Sequence, residues 1–193
     1  MHPFSWGTLF EATWLVWLLY WFWSARGVKA AAREDGWAAM LAYRIPVMLG
    51  FGLLVALGQG AGDSWLYRHV PSAGAWAPPL GWLLLLMGLG FACWARVVLG
   101  RNWSATVQLK QDHELVVAGP YRWVRHPIYT GMLLGVLGTL LAIGAWPGLL
   151  ALALVGAGFW LKLRHEERWM REQFGAAYVD YMRRVKALVP GLL

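Results

Sequence analysis

Hydrophobic residues run along this chain in five long stretches: Trp6 to Trp23, Ala38 to Leu57, Leu80 to Leu99, Ile128 to Trp146 and Pro147 to Leu163. At about 1.5 Å rise per residue, a helix crossing a bilayer core of roughly 30 Å needs about 20 mostly apolar residues. The pattern therefore predicts an all-α integral membrane protein with five transmembrane helices. Pro147 and Gly148 fall between the last two stretches and predict a tight helical hairpin, because proline suits a helix start and not its interior. Polar residues concentrate in two places, the connection from Gly100 to Pro127 and the tail from 164 to 186. In the tail Trp169, Met170, Phe174, Tyr178, Tyr181, Met182 and Val185 recur at spacings of three and four. Such a stripe predicts an amphipathic helix lying on the membrane or on the bundle.

Composition supports the membrane reading: 59% of the 193 residues are hydrophobic, only 14% are charged, and 15 are tryptophan. Charge then orients the spans. Lysine and arginine gather on the cytoplasmic side of membrane proteins. The first connection holds Arg26, Lys29, Arg33 and Arg44, the third holds Arg96, Arg101, Lys110, Arg122 and Arg125, and the tail holds Lys162, Arg164, Arg168, Arg171, Arg183, Arg184 and Lys186. Arg68 alone falls elsewhere. Five spans, with the amino terminus outside and the carboxyl terminus and both polar segments in the cytoplasm, reproduce this split. The net charge of +7 then follows from topology and calls for no nucleic-acid partner. The first hydrophobic run has no basic residue before it, which argues against a cleaved signal peptide. Cys93 is the single cysteine, and the five histidines lack the close spacing of a zinc site. With no internal repeat or low-complexity linker, residues 1–193 read as one membrane domain.

The polar segments carry specific motifs. RxxLGxNWS spans Arg96 to Ser104, HELV spans 113–116, GPYRWVRHPIYTG spans 119–131, Glu166 and Glu167 are adjacent, and FGxxYxxYxxxVxxLVP spans Phe174 to Pro190. In this order they resemble the isoprenylcysteine carboxyl methyltransferase family, whose wider superfamily includes phospholipid N-methyltransferases. The resemblance covers residues 96–190. It implies S-adenosyl-L-methionine as methyl donor and a lipidic or small hydrophobic acceptor, most simply the carboxylate of an isoprenylcysteine-like molecule, met among membrane lipids. Carried over position by position, the family's cofactor-binding residues fall on Gln108, His113, Glu114, Leu115, Val116, Tyr121, His126, Pro127, Ile128, Tyr129 and the Glu166–Glu167 pair. Lys162 and Arg164 lie near the family's substrate-contacting arginine. Arg125, His126 and Glu166 are the candidate catalytic residues.

Plainer readings exist for each. Arg122 and Arg125 could snorkel, His126 could be extended only because Pro127 follows, and Tyr121, Trp123 and Tyr129 could form an interfacial belt. Their joint spacing with HELV and the glutamates favours a site. Glu11, inside the first stretch, reads as snorkelling or pairing with a neighbouring helix. Adjacent helical residues point about 100° apart, so the glutamates should divide their work. Glu167, with Arg164 and Arg171 at surface-pair spacing, should hold the helix, while Glu166, without a partner charge in view, should hold the donor's ammonium. Two alternatives remain at this level. Sterol reductases carry a similar arginine-histidine-proline motif with a nicotinamide cofactor, but their usual residues differ where this chain has Ile128 and Met132; a membrane scaffold would need no convergent polar loop. Oligomeric state is left open.

Overall fold

The structure, a computed structural model, describes residues 5–58, 74–110 and 114–192. Helix α1 (Trp6–Ser24) starts where the Ser5 side chain accepts the Thr8 N–H. It is followed by strand β1 (Ala31–Glu34), α2 (Trp37–Gly58), α3 (Ala77–Leu99), strand β2 (Gln108–Lys110), α4 (Pro127–Ile143), α5 (Pro147–Phe174) and α6 (Ala176–Arg184). Short 3-10 turns at Gly100–Asn102 and Gly119–Arg122 bend the long connection. Among the described residues three helices are long and apolar enough to cross a membrane, Trp37–Gly58, Ala77–Asn102 and Pro147–Phe174, and Pro127–Ile143 is a shorter apolar helix. The chain is thus an integral membrane protein built mainly of helices.

The helices pack as two pairs, α3 on α4 and α2 on α5, with α1 leaning on α3. Without a hydrophobic drive between helices in lipid, close backbone approach through small residues supplies the contact. In α3 and α4, Gly81 faces Gly138 and Gly88 faces Gly131, and a Cβ added at any of the four would strike the opposing backbone carbonyl. In the second pair Gly50 meets Ala151 and Val155, and Gly158 meets Tyr43 and Val47. Two indole N–H groups among the helices find hydroxyl partners: Trp14 donates to Thr139 at 3.0 Å and Trp82 to Thr13 at 3.1 Å. Glu11, on α1, is exposed.

Three expectations need correction. The protein is not purely helical, because β1 and β2 pair antiparallel with Glu34 opposite Gln108 and Ala31 opposite Lys110; the Gln108 side-chain amide donates to Glu34 at 3.0 Å. The fifth apolar stretch does not end as a helix at Leu163. Charges begin there, but charged residues do not break helices, and α5 continues to Phe174, where Gly175 takes φ +51°. At 28 residues it is about 42 Å long, more than the roughly 30 Å of hydrocarbon. The tail is consequently not one amphipathic helix over 164–186 but the end of α5 and the short α6, divided at Gly175. The hairpin lies close to where it was expected: α4 ends at Ile143, Gly144 adopts the left-handed conformation with φ +65°, and Pro147 opens α5.

The chain after α6 returns to the site. Backbone N–H groups of Arg125 and His126 donate to the carbonyls of Lys186 and Ala187 at 2.8 and 3.0 Å. The Thr130 hydroxyl donates to the Leu188 carbonyl at 2.7 Å. This tail strap pins the segment before α4.

Candidate functional site

One cavity of about 450 Å³ opens where α2, the long connection, the start of α4 and the end of α5 converge. Its polar wall is built from the segment ending in Pro127. His126 has φ −122° and ψ 60°, outside the helical region, as expected of a residue before proline. Its ring therefore leaves the helix axis and inserts between two carboxylates: Nδ1 lies 3.5 Å from Glu166 Oε2, and Nε2 lies 3.1 Å from Glu167 Oε1. Burial opposes charge on this imidazole, but hydrogen bonds to Glu166 and Glu167, reinforced by their charges, outweigh it and raise the His126 pKa above its ordinary value.

The two glutamates have different surroundings, and not the expected partners. Glu166 lines the cavity, accepts the Tyr129 hydroxyl at 2.7 Å, and has Lys162 one turn back at 3.8 Å. It has partners already, contrary to expectation, because Lys162 sits at the i−4 position on the same face. Glu167 is buried rather than on the surface, and Arg164 and Arg171 are exposed. Its Oε1 takes Arg125 Nε at 2.8 Å and Nη2 at 2.6 Å. Arg125 also donates from Nη1 to the Val185 carbonyl, and more weakly to that of Met182 at 3.4 Å. Arg125, offered above as catalytic, is thus held between α5 and the tail strap and shares Glu167 Oε1 with His126.

Aromatic faces line the rest. Tyr129 stacks on His126 and on Phe159, with ring centroids 5.5 and 4.8 Å apart. The Lys162 ammonium lies 5.4 Å from the Tyr129 ring and 5.7 Å from that of Tyr43 and donates to the Ala105 carbonyl at 2.9 Å. Tyr121 is buried; its carbonyl accepts the Tyr181 hydroxyl at 2.6 Å. Burial pushes the Tyr181 pKa up to about 12, so this hydroxyl remains a donor.

Of the residues singled out from sequence, Gln108, Glu114, Leu115, Val116, Tyr121, Arg125, His126, Pro127, Ile128, Tyr129, Lys162 and Glu166 line the cavity. Glu114 stands at the rim, its side chain 76% exposed and 3.6 Å from Lys29. Glu167 lies behind the wall, and Arg164 points away, its guanidinium 5.9 Å from the Trp160 ring. His113 falls outside the described residues. Sequence reading missed Tyr43 and Arg44 on α2, and Asn102 and Trp103, all of which line the cavity. The last two stood inside the NWS motif without a role. Asn102 Oδ1 is buried with no hydrogen-bond partner among the described residues.

Residues 76–177, just over half of the chain, match the family model described as phospholipid methyltransferase. The chain belongs to that family. Within it the motif resemblance to isoprenylcysteine carboxyl methyltransferases is borne out. This phospholipid methyltransferase family member is 29% identical over 118 residues to protein-S-isoprenylcysteine O-methyltransferase B of Arabidopsis thaliana, covering 60% of each chain. It is 32% identical over 114 residues to the Saccharomyces cerevisiae protein-S-isoprenylcysteine O-methyltransferase, covering 58% of this chain and 48% of that one. It is also 33% identical over 135 residues to the cobalt-zinc-cadmium resistance protein CzcN of Cupriavidus metallidurans, covering 67% and 58%. The solved structure of the eukaryotic intramembrane Ras methyltransferase, isoprenylcysteine carboxyl methyltransferase, superposes with a TM-score of 0.54 at 25% identity, covering 80% of this chain and 52% of that one. The chain therefore spans about half to three fifths of the length of these relatives.

Proposed function

We propose that this chain is an S-adenosylmethionine-dependent membrane methyltransferase whose acceptor is a lipidic carboxylate of the isoprenylcysteine type. The observation that carries the reading is the convergence of Glu166, His126, Tyr129 and Lys162 on one cavity that continues into apolar side chains. The donor needs aromatic faces, hydrogen-bond partners and a carboxylate for its ammonium. The cavity offers Trp103 and Tyr121, Gln108 and the buried, unpartnered Asn102 oxygen, and Glu166. Glu114 to Val116 and Pro127 to Tyr129 complete the same wall, and His113 belongs with them by its motif. Bound S-adenosylmethionine supplies a methyl group on a sulfonium.

The chain's own contribution is placement and exclusion of water. Fixing two reactants in near-attack geometry can remove roughly 7–11 kcal/mol of barrier. An acceptor carboxylate has no proton to lose, so a general base is unnecessary. That suits His126, on which the two flanking carboxylates favour the protonated form and so disfavour a role as base. An amine acceptor would need a base, for which Glu166 is the carboxylate on the cavity wall, and family membership supports methyl transfer over the sterol-reductase and scaffold alternatives.

The test is donor affinity by calorimetry on purified protein in detergent, alongside transfer of labelled methyl to N-acetyl-S-farnesylcysteine. Glu166→Gln removes a charged acceptor, an interaction worth about 1.5–3 kcal/mol, so donor affinity should fall about ten- to a hundredfold. Glu166 is already shared with Tyr129, His126 and Lys162, which limits the loss. Unchanged affinity would remove Glu166 from the donor site, and binding of a nicotinamide dinucleotide instead would revive the reductase.

We also infer five spans, the donor site on the cytoplasmic side and the amino terminus outside. The sixteen-to-one distribution of basic residues supports this orientation. A reporter inserted at Gly74 should then face the exterior, and one fused after the carboxyl-terminal residue should face the cytoplasm. Both on the same face would overturn it.

A further inference from the structure

Arg44 stood in the sequence as one of the charges that orient the first connection. In the structure it occupies the second turn of α2 and lines the cavity. The other charges at the site are matched: Arg125 with Glu167, His126 with both glutamates, and Lys162 with Glu166 and the Ala105 carbonyl. Among the described residues Arg44 has no hydrogen bond or ion pair, and it lies close enough to Lys162 for the two cations to repel. A cavity with a surplus cation on one side selects for an anion there. Residues three and four apart share a helix face, and Val47 and Met48 both line the cavity beyond Arg44. Met48 is also 70% exposed on the outside of α2. The face thus presents a guanidinium head and then an apolar strip that reaches the bundle's surface, the layout that fits an amphiphile with an anionic head.

We propose that Arg44 holds the carboxylate of the methyl acceptor and so sets its specificity from α2. This rests on the methyltransferase reading and adds the residue that recognises the acceptor. Guanidinium is suited to the task because it stays charged and can grip a carboxylate with two parallel N–H groups.

The experiment measures equilibrium binding of N-acetyl-S-farnesylcysteine and of its methyl ester to the full chain in detergent, with donor affinity measured separately. The ester keeps the tail and lacks the charge. Wild type should bind the acid about tenfold or more tighter than the ester, the scale of one charged hydrogen-bonding pair. Arg44→Gln should bind both alike, Arg44→Lys should keep part of the preference, and donor affinity should stay within about twofold in both, which also reports folding. If Arg44→Gln retains the acid-over-ester preference, the proposal is wrong. A fall in donor affinity with the preference intact would also overturn it, by assigning Arg44 to the donor's carboxylate. Failure of the methyltransferase reading would appear differently, as a wild-type protein that binds no donor, and the acid-against-ester comparison would still decide the role of Arg44.

Discussion

Glu167→Gln is expected to destabilise the protein by about 3–5 kcal/mol, the usual consequence of removing one partner from a buried ion pair. The glutamate and Arg125 are both buried, their side chains 7% and 8% exposed. Glutamine would leave the guanidinium and the His126 imidazolium facing a neutral amide. On a chain of this size each kcal/mol moves the melting temperature by roughly 2–4 °C, so the transition should fall by about 6–20 °C. Arg171→Gln and Arg164→Gln, at positions where surface pairing with Glu167 looked natural, should change it by no more than about 2 °C. The decisive control is a double-mutant cycle. In an Arg125→Met background the charge on Glu167 has lost its main partner, and the further effect of Glu167→Gln should shrink or reverse. A melting temperature within a degree or two of wild type for Glu167→Gln alone would show that the pair does not stabilise the fold.

Replacing Gly131 with valine should part α3 from α4. A Cβ at this position would lie 2.9 Å from the Ala92 nitrogen and closer still to the Gly88 carbonyl. Backbone cannot rotate aside as a side chain can, so the helices must separate or shift. Overpacking of this kind costs typically about 1–3 kcal/mol and sometimes more, and valine's extra methyls add to it. Gly90 supplies the contrast, lying on α3, the other helix of the pair, with nothing within 4 Å of an added Cβ. Gly90→Ala should be neutral or stabilising by up to about 1 kcal/mol, because alanine is the better helix former. The readout is thermal unfolding together with donor affinity, since α4 begins with Pro127, Ile128 and Tyr129 at the cavity wall. Equal melting temperatures for the Gly131 and Gly90 variants would contradict the packing described.

The sequence made the helices and the mouth of the site readable for different reasons. Long apolar runs predict helices even across the interior glycines of α3 and α4 and Pro46 of α2, and the hairpin at Pro147 followed from proline's preference for a helix start. The convergence of Tyr121, His126, Tyr129 and Glu166 was readable only through motif spacing, because nothing in periodicity says that residues 121 and 166 meet. What escaped was non-local. Strands β1 and β2 are four and three residues long and pair across more than seventy positions, too short to show a pattern of their own. Arg125 read as a catalytic or snorkelling residue and Glu167 as a partner of Arg164 and Arg171, and only their meeting makes them a buried pair. Lys162, read as an orienting charge and a substrate contact, also faces Glu166 from one turn away. Arg44 looked like a charge with a topological task, and its place on the cavity depends on α2 docking against α5.

The tail strap has a consequence for the order in which the protein is made. Arg125 and His126 take backbone partners from Lys186 and Ala187, and Thr130 takes one from Leu188. All three acceptors are translated after every helix of the fold. Nascent chains that have already inserted α1 through α5 thus still lack the clamp that sets the His126 ring between its carboxylates. The clamp can close only once this stretch has left the ribosome and folded back, so a chain stalled before it would have its helices made and the segment ahead of α4 still unpinned.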